Sequence, residues 1–179
     1  IELTRYYDDN PLKDIPQKND ELFDVVDSDD NVTGQETREK VHQDGLMHRA
    51  VHVLVFNKRK EVFVQKRSRL KDKDPSVWGT SAAGHLDSGE SYEGAAIREL
   101  SEELGIQDSE IQEVGKLAPS DETGWEHIKI YVCQYDGALR FPCSKIETGQ
   151  WFSREVVREW IDARPRDFAN GFIRSWSVF

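Results

Sequence analysis

Gly84-His-Leu-Asp-Ser-Gly-Glu-Ser-Tyr-Glu-Gly-Ala-Ala-Ile-Arg-Glu-Leu-Ser-Glu-Glu-Leu-Gly-Ile106 is a glycine loop that runs into an acidic amphipathic segment and stops at Gly105. Helical periodicity puts Glu99, Glu102 and Glu103 at i, i+3 and i+4, on one face. Ile97, Leu100 and Leu104 cluster on another arc, which is expected to face a core. Ser88 or Ser91 can cap the start, where Glu90 and Glu93 suit the positive end of the helix dipole. Gly105 supplies the stop, while Gly84 and Gly89 permit a sharp turn and a close approach of backbone to ligand. Arg98 points off the acidic face, towards a carboxylate such as Glu90. Three carboxylates this close repel one another unless a cation sits among them, and hard cations such as Mg²⁺ favour oxygen ligands. Taken alone, the three glutamates fit a solvated acidic face as well as a cation platform.

The chain has 179 residues, 37% of them hydrophobic, which suits one α/β-type domain with a real core. Its 24 basic and 34 acidic residues leave a net charge of −10, which argues against nucleic-acid polymers and anionic membranes as partners. A phosphate substrate stays compatible with that charge, because a bound metal reverses the local field. Cys133 and Cys143 make no disulfide framework and read as free thiols in a reducing compartment. No apolar run reaches the length of a membrane span and no signal-peptide core opens the chain, so a soluble cytoplasmic protein is expected.

Residues 1–20 are polar, contain Pro11 and Pro16, and read as an N-terminal arm ahead of one domain over 21–179. The arm could serve a homodimer. Strands are expected at Glu21–Asp27 and from Val32, joined by the turn at 28–31, with a brief helical turn over Thr37–His42. Arg49–Asn57 and Glu61–Arg67 read as a hairpin, followed by a charged loop at 69–75. Trp78–Ala83 is a short strand leading into the glycine loop. Beyond the acidic helix, strands are expected at Glu110–Leu117, Trp125–Tyr135 and Trp151–Phe152, with 137–149 as a loop. Ser153 caps a helix to about Ala163, and Phe168–Trp176 reads as a last helical segment.

The opening stretch resembles the Nudix box, in which Gly, Glu and Arg-Glu-aliphatic-X-Glu-Glu-X-Gly-aliphatic recur at fixed spacing. All nine specified positions match: Gly84, Glu90, Arg98, Glu99, Leu100, Glu102, Glu103, Gly105 and Ile106. The resemblance implies an α/β/α sandwich around a mixed sheet, and hydrolysis of a diphosphate bond in a nucleoside diphosphate linked to another group. It further implies that Glu99, Glu102 and Glu103, with the Gly84 carbonyl, hold Mg²⁺ or Mn²⁺, that Glu102 or Glu103 serves as general base, and that Glu126 and Glu122 are rivals for that role. Glu90 and Arg98 would support the loop–helix geometry.

Further segments narrow the resemblance: Met47-His-Arg-Ala-Val-His-Val, Gln65-Lys-Arg-Ser, Trp78-Gly-Thr-Ser-Ala-Ala-Gly-His and Gly124-Trp-Glu-His are similar to the isopentenyl-diphosphate isomerase branch. His48, His85 and Glu126 match metal-binding positions of that branch, and Ile128 stands where a second glutamate is expected. Thr80-Ser-Ala-Ala carries no thiol where the isomerase places its cysteine. Hydrolysis is therefore favoured, with isomerisation and a non-catalytic diphosphate-binding module as alternatives. His48, His85 and Glu126 are candidates for a second metal or phosphate site. Of the basic residues Lys66, Arg67, Arg69, Lys71 and Lys73, strand alternation puts Arg67 with Gln65; Arg67 or Arg49 could fork a phosphate. Trp78, Trp125 and Tyr131 are open between base stacking and core packing.

Overall fold

The computed structural model describes residues 3–6 and 18–179. In chain order the elements are β1 (Leu3–Tyr6), β2 (Leu22–Val26), β3 (Val32–Thr37), α1 (Arg38–Asp44), β4 (His48–Phe56), β5 (Val62–Arg67), β6 (Trp78–Gly79) and β7 (Ala82–His85). There follow α2 (Tyr92–Leu104), β8 (Ile111–Leu117), β9 (Glu126–Gln134), β10 (Leu139–Pro142), β11 (Ile146–Phe152), α3 (Arg154–Ala163) and α4 (Asn170–Val178). Most of the expected arm lies outside the described residues; Leu3–Tyr6 runs parallel to β10.

The main sheet runs β11-β5-β4-β9-β8, with β6 on β5 and β7 on β4. It is mixed: β9 is parallel to β4, while β7 and β8 are antiparallel to their neighbours. Strand alternation gives β4 two apolar faces. Val51, Val53 and Val55 pack with Ala95, Ala96, Leu100 and Leu104 of α2. Ala50 and Leu54 pack on the other face with Val157, Phe168 and Phe172, beneath α3 and α4. The α/β/α sandwich is thus the observed architecture.

Helix α2 begins at Ser91, whose side chain accepts from the Gly94 amide, and ends at Gly105 in a left-handed conformation (φ 67°). Ser88 is not the cap; it donates to Asp24 at 2.7 Å. Three expectations change. Residues 137–149 are not a loop, because the main chain of β10 pairs with β1 and that of β11 pairs along β5. The 49–67 segment is not an extended hairpin: β4 and β5 pair only at Phe56↔Val62 and then diverge, letting β7 pair with the first half of β4. Ile97 is 42% exposed, while Leu100 and Leu104 are fully buried. The apolar arc of α2 is completed by Ala95 and Ala96 instead, whose small side chains let the helix sit close to the sheet.

This division predicts opposite costs for two leucine-like positions on one helix. Leu100→Ala should lose about 2–5 kcal/mol in denaturant unfolding, whereas Ile97→Ser should stay within about 0.5 kcal/mol of the parent.

Candidate functional site

A cleft of about 720 Å³ opens where β7, the second half of α2, the 69–75 loop and the 3₁₀ turn Asp121–Thr123 meet. Glu99, Glu102 and Glu103 all line it. They share the expected face but differ in depth: Glu99 is 6% and Glu103 2% exposed, while the Glu102 side chain is 46% exposed at the rim. Glu99 reaches its depth because Gly84 has no side chain; a Cβ at Gly84 would collide with the Glu99 carboxylate. Glu103 is anchored on Oε2, which accepts from Gln65 Nε2 at 2.9 Å and from the Ala83 amide at 3.3 Å.

Arg98 holds the loop to the helix. It donates to Glu90 from Nε and Nη2, both at 2.9 Å, from Nη2 to the His85 carbonyl at 2.9 Å, and from Nη1 to Glu99 at 2.6 Å. Two lysines reach the other carboxylates: Lys145 Nζ is 2.8 Å from Glu102 Oε2, and Lys71 Nζ is 3.7 Å from Glu103 Oε1. Burial, together with the neighbouring Glu103 charge, pushes the Glu99 carboxyl up to about 7 despite Lys145 and Arg98. Burial also lowers Lys71, whereas Glu103, Glu99 and Glu102 outweigh burial and raise Lys145. A carboxyl held near 7 beside a second buried carboxylate is a donor set short of positive charge. Its oxygens fit a hard divalent cation.

A second group converges through strand register. Parallel pairing sets His48 against Glu126, and antiparallel pairing sets Ala50 against His85. His42 enters from α1. Ligand atoms of His42, His48, His85 and Glu126 all lie within 4.8 Å of one another. His85 Nε2 donates to Glu126 Oε1 at 3.0 Å, and His48 Nε2 stands 3.7 Å from the same oxygen, beyond hydrogen-bond reach. His48 Nδ1 donates to the Leu46 carbonyl at 2.9 Å. Nε2 of His48 and Nε2 of His42 are buried without any hydrogen-bond partner. Burial pushes His42 down to about 3 and lowers His85, so both are neutral at neutral pH. Burial works against the charge on Glu126, yet the His48 and His85 imidazoles hold it well below the usual carboxylate range. Neutral imidazoles with orphaned nitrogens around one carboxylate fit a metal that accepts nitrogen and oxygen ligands.

Arg67 lines the cleft but its guanidinium is used to hold the loop, donating to the Asp74 and Lys73 carbonyls at 3.0 and 2.9 Å. Arg49 bridges Asp30 at 2.6 Å, away from the cleft. Glu122 meets Arg174 at 3.2 Å near the surface. Tyr131 is a core residue, Trp78 packs edge-on against Phe152 and Trp160, and Trp125 lies beside Gly45; none of the three lines the cleft. Sequence reading named Lys71 among the nearby basic residues and set Gln65 on the Arg67 face, but missed His42 and Lys145 as members of the site. His42 was signalled only by its place just before the His48 segment, and Lys145 was hidden in a stretch read as loop.

A family model described as the NUDIX domain matches residues 46–172. The chain belongs to the NUDIX family. An isopentenyl-diphosphate Delta-isomerase of Serratia proteamaculans is 31% identical over 86% of this chain and 88% of its own length. An uncharacterized Nudix hydrolase of Pseudomonas aeruginosa is also 31% identical, over 81% and 86%. The crystal structure of DR0079 from Deinococcus radiodurans superposes with a TM-score of 0.71 at 26% identity, covering 80% of this chain and 90% of that one. Nudix relatives thus include both hydrolases and isomerases.

The Glu99 carboxyl of this Nudix protein supplies a pH test with a defined sign. Its folded pKa of about 7 lies above the ordinary value of 4.5, so its protonated form is favoured by folding; that stability is complete below 4.5 and is lost as pH rises through 7. In chelator-containing buffer, Glu99→Gln should gain on the parent in melting temperature between pH 5 and pH 8. A constant difference across that range contradicts the assignment.

Proposed function

We propose that this Nudix protein is a metal-dependent hydrolase that cleaves the diphosphate bond of an organic diphosphate, such as a nucleoside diphosphate linked to another group. The observation that carries the reading is the paired burial of Glu99 and Glu103 over Gly84 and Ala83, with Glu102 at the rim of the same cleft. In this reading Glu99, Glu102 and Glu103, with the Gly84 carbonyl, hold Mg²⁺ or Mn²⁺. Bound there, the cation neutralises diphosphate charge and lowers the pKa of a water. Glu102 or Glu103 accepts the proton of that water. Glu102 is the more accessible, and the hydrogen bond from Lys145 overcomes burial to keep it ionised. Lys71 lines the cleft beside Glu103 and is available to a phosphate oxygen, while Arg67 lines the same cleft and would have to exchange its loop carbonyls to fork one. Glu90 and Arg98 keep the glycine loop against the helix. Glu126 is a weaker base candidate, because His85 already occupies its oxygen.

Isomerisation is the second reading, favoured by the 31% identity to the Serratia enzyme. Against it, positions 80–83 are Thr-Ser-Ala-Ala, and neither Cys133 nor Cys143 lines the cleft. The His42–His48–His85–Glu126 group supports a second metal in either reading, since two of its nitrogens are buried and unpartnered.

Phosphate release from a panel of organic diphosphates, with Mg²⁺ and with Mn²⁺, tests the hydrolase reading. Turnover by the parent and a loss of roughly a hundredfold or more in Glu103→Gln are expected; conversion of an allylic diphosphate without phosphate release would instead favour isomerisation. Elemental analysis separates the two metal sites. His48→Ala should lose a tightly held transition metal that Glu103→Gln retains, and equal metal content in the two proteins contradicts a histidine site.

A further inference from the structure

His52 is a buried, chemically competent side chain of the cleft that neither the glutamates nor the histidine cluster uses. It lies on β4, is 8% exposed, and shares the strand face of Ala50 and Leu54 that looks towards α4. Its Nδ1 is 2.7 Å from Oγ of Ser175, a wholly buried residue of α4, and 3.5 Å from Oγ1 of Thr80. One turn earlier on α4, a Cβ at Gly171 would approach the ring to 3.1 Å at Cε1 and 3.6 Å at Nε2, so glycine lets the helix close over the imidazole. These contacts fix one edge of the ring. Among the described residues nothing hydrogen-bonds Nε2, yet that atom is not sealed in, and His52 lines the cleft.

The surroundings say what kind of group could meet it. Burial pushes the imidazole down to about 4, so at neutral pH it offers a hydrogen bond rather than a positive charge. Of the cations of the cleft, Lys71 and Lys145 stand at the carboxylates, and Arg67 is tied to the Asp74 and Lys73 carbonyls. Thr80, Ala83, Ala169, Gly171 and Phe172 contribute neutral lining to the same cleft, and the charges that act on the ring are those of Glu126, Arg67 and Glu103. Register places His52 directly opposite Ala83, whose methyl leaves space before the ring. The amide of that same Ala83 bonds Glu103. A molecule with its diphosphate at the carboxylates therefore has its next group within reach of His52.

We propose that His52, oriented by Ser175, is a specificity-determining contact whose Nε2 hydrogen-bonds a hydroxyl, carbonyl or ring nitrogen of the organic group attached to the diphosphate. This rests on the diphosphate reading above and adds the residue that senses the non-phosphate half of the substrate. A neutral, preoriented imidazole discriminates between ligands by hydrogen bonding, because a ligand lacking the partner leaves a desolvated nitrogen unpaired.

The test uses the full chain with Mg²⁺ and three probes: ADP-ribose and UDP-glucose as organic diphosphates, and inorganic pyrophosphate as the phosphate-only probe. Calorimetric binding is measured for the parent, His52→Ala, His52→Gln and Ser175→Ala, with kinetic constants for any probe that is hydrolysed. His52→Ala should bind the preferred organic diphosphate about tenfold more weakly, with pyrophosphate affinity within about twofold. The loss should fall on KM with kcat nearly unchanged, and His52→Gln should recover part of it. Should His52→Ala fail to fold, Ser175→Ala carries the same discrimination, with several-fold weaker organic diphosphate and unaltered pyrophosphate. Equal losses for pyrophosphate, unchanged affinity for all probes, or a parent that binds neither organic diphosphate each overturn the proposal. Binding without hydrolysis defeats the hydrolase reading alone and leaves the His52 contact measurable.

Discussion

The seating of the Glu99 carboxylate against the bare backbone of Gly84 is the constraint on which the site depends. Any side chain at position 84 would occupy the space of that carboxylate. The contact ties the middle of α2 to β7, and β7 in turn pairs with the first half of β4. Arg98 closes the same junction from outside by joining Glu90, Glu99 and the His85 carbonyl. Small residues finish the arrangement, since Ala95 and Ala96 let the helix approach the sheet closely enough for Glu103 to reach the Ala83 amide.

Such an arrangement concentrates negative charge where water is scarce. Two of the three carboxylates are nearly inaccessible, and Glu99 is driven towards its neutral form. The fold answers with cations from three separate elements: Arg98 on α2, Lys71 on the 69–75 loop and Lys145 before β11. Lys71, 3.7 Å from Glu103, makes a long contact that is easily re-directed, whereas Lys145 is hydrogen-bonded to Glu102 at 2.8 Å.

Strand β4 is the spine that brings the rest together. It carries His48 at its start, beside Glu126 of β9, and His52 four residues further, opposite Ala83 of β7. Its two faces divide the molecule's two cores. The parallel pairing of β4 with β9 crosses some 70 residues of chain, and that long-range register, not local sequence, sets Glu126 at the histidines.

The box helix was legible because its signals are local: a serine cap, a glycine stop and a 3.6-residue period that sets three glutamates on one face. The shared face of the three glutamates and the nearness of Arg98 to Glu90 follow from spacing alone. Most strands were equally readable from β-branched runs. What tertiary structure decided is whatever depends on pairing between distant segments. Residues 137–149 carry weak strand propensity and become strands because β1 and β5 offer them partners. Ile97 is exposed because the sheet meets the helix along Ala95, Leu100 and Leu104. Lys71, Lys145 and His52 join the cleft, and His42 the histidine cluster, only through folding, since a side chain's chemistry is written in the sequence but its neighbours are not.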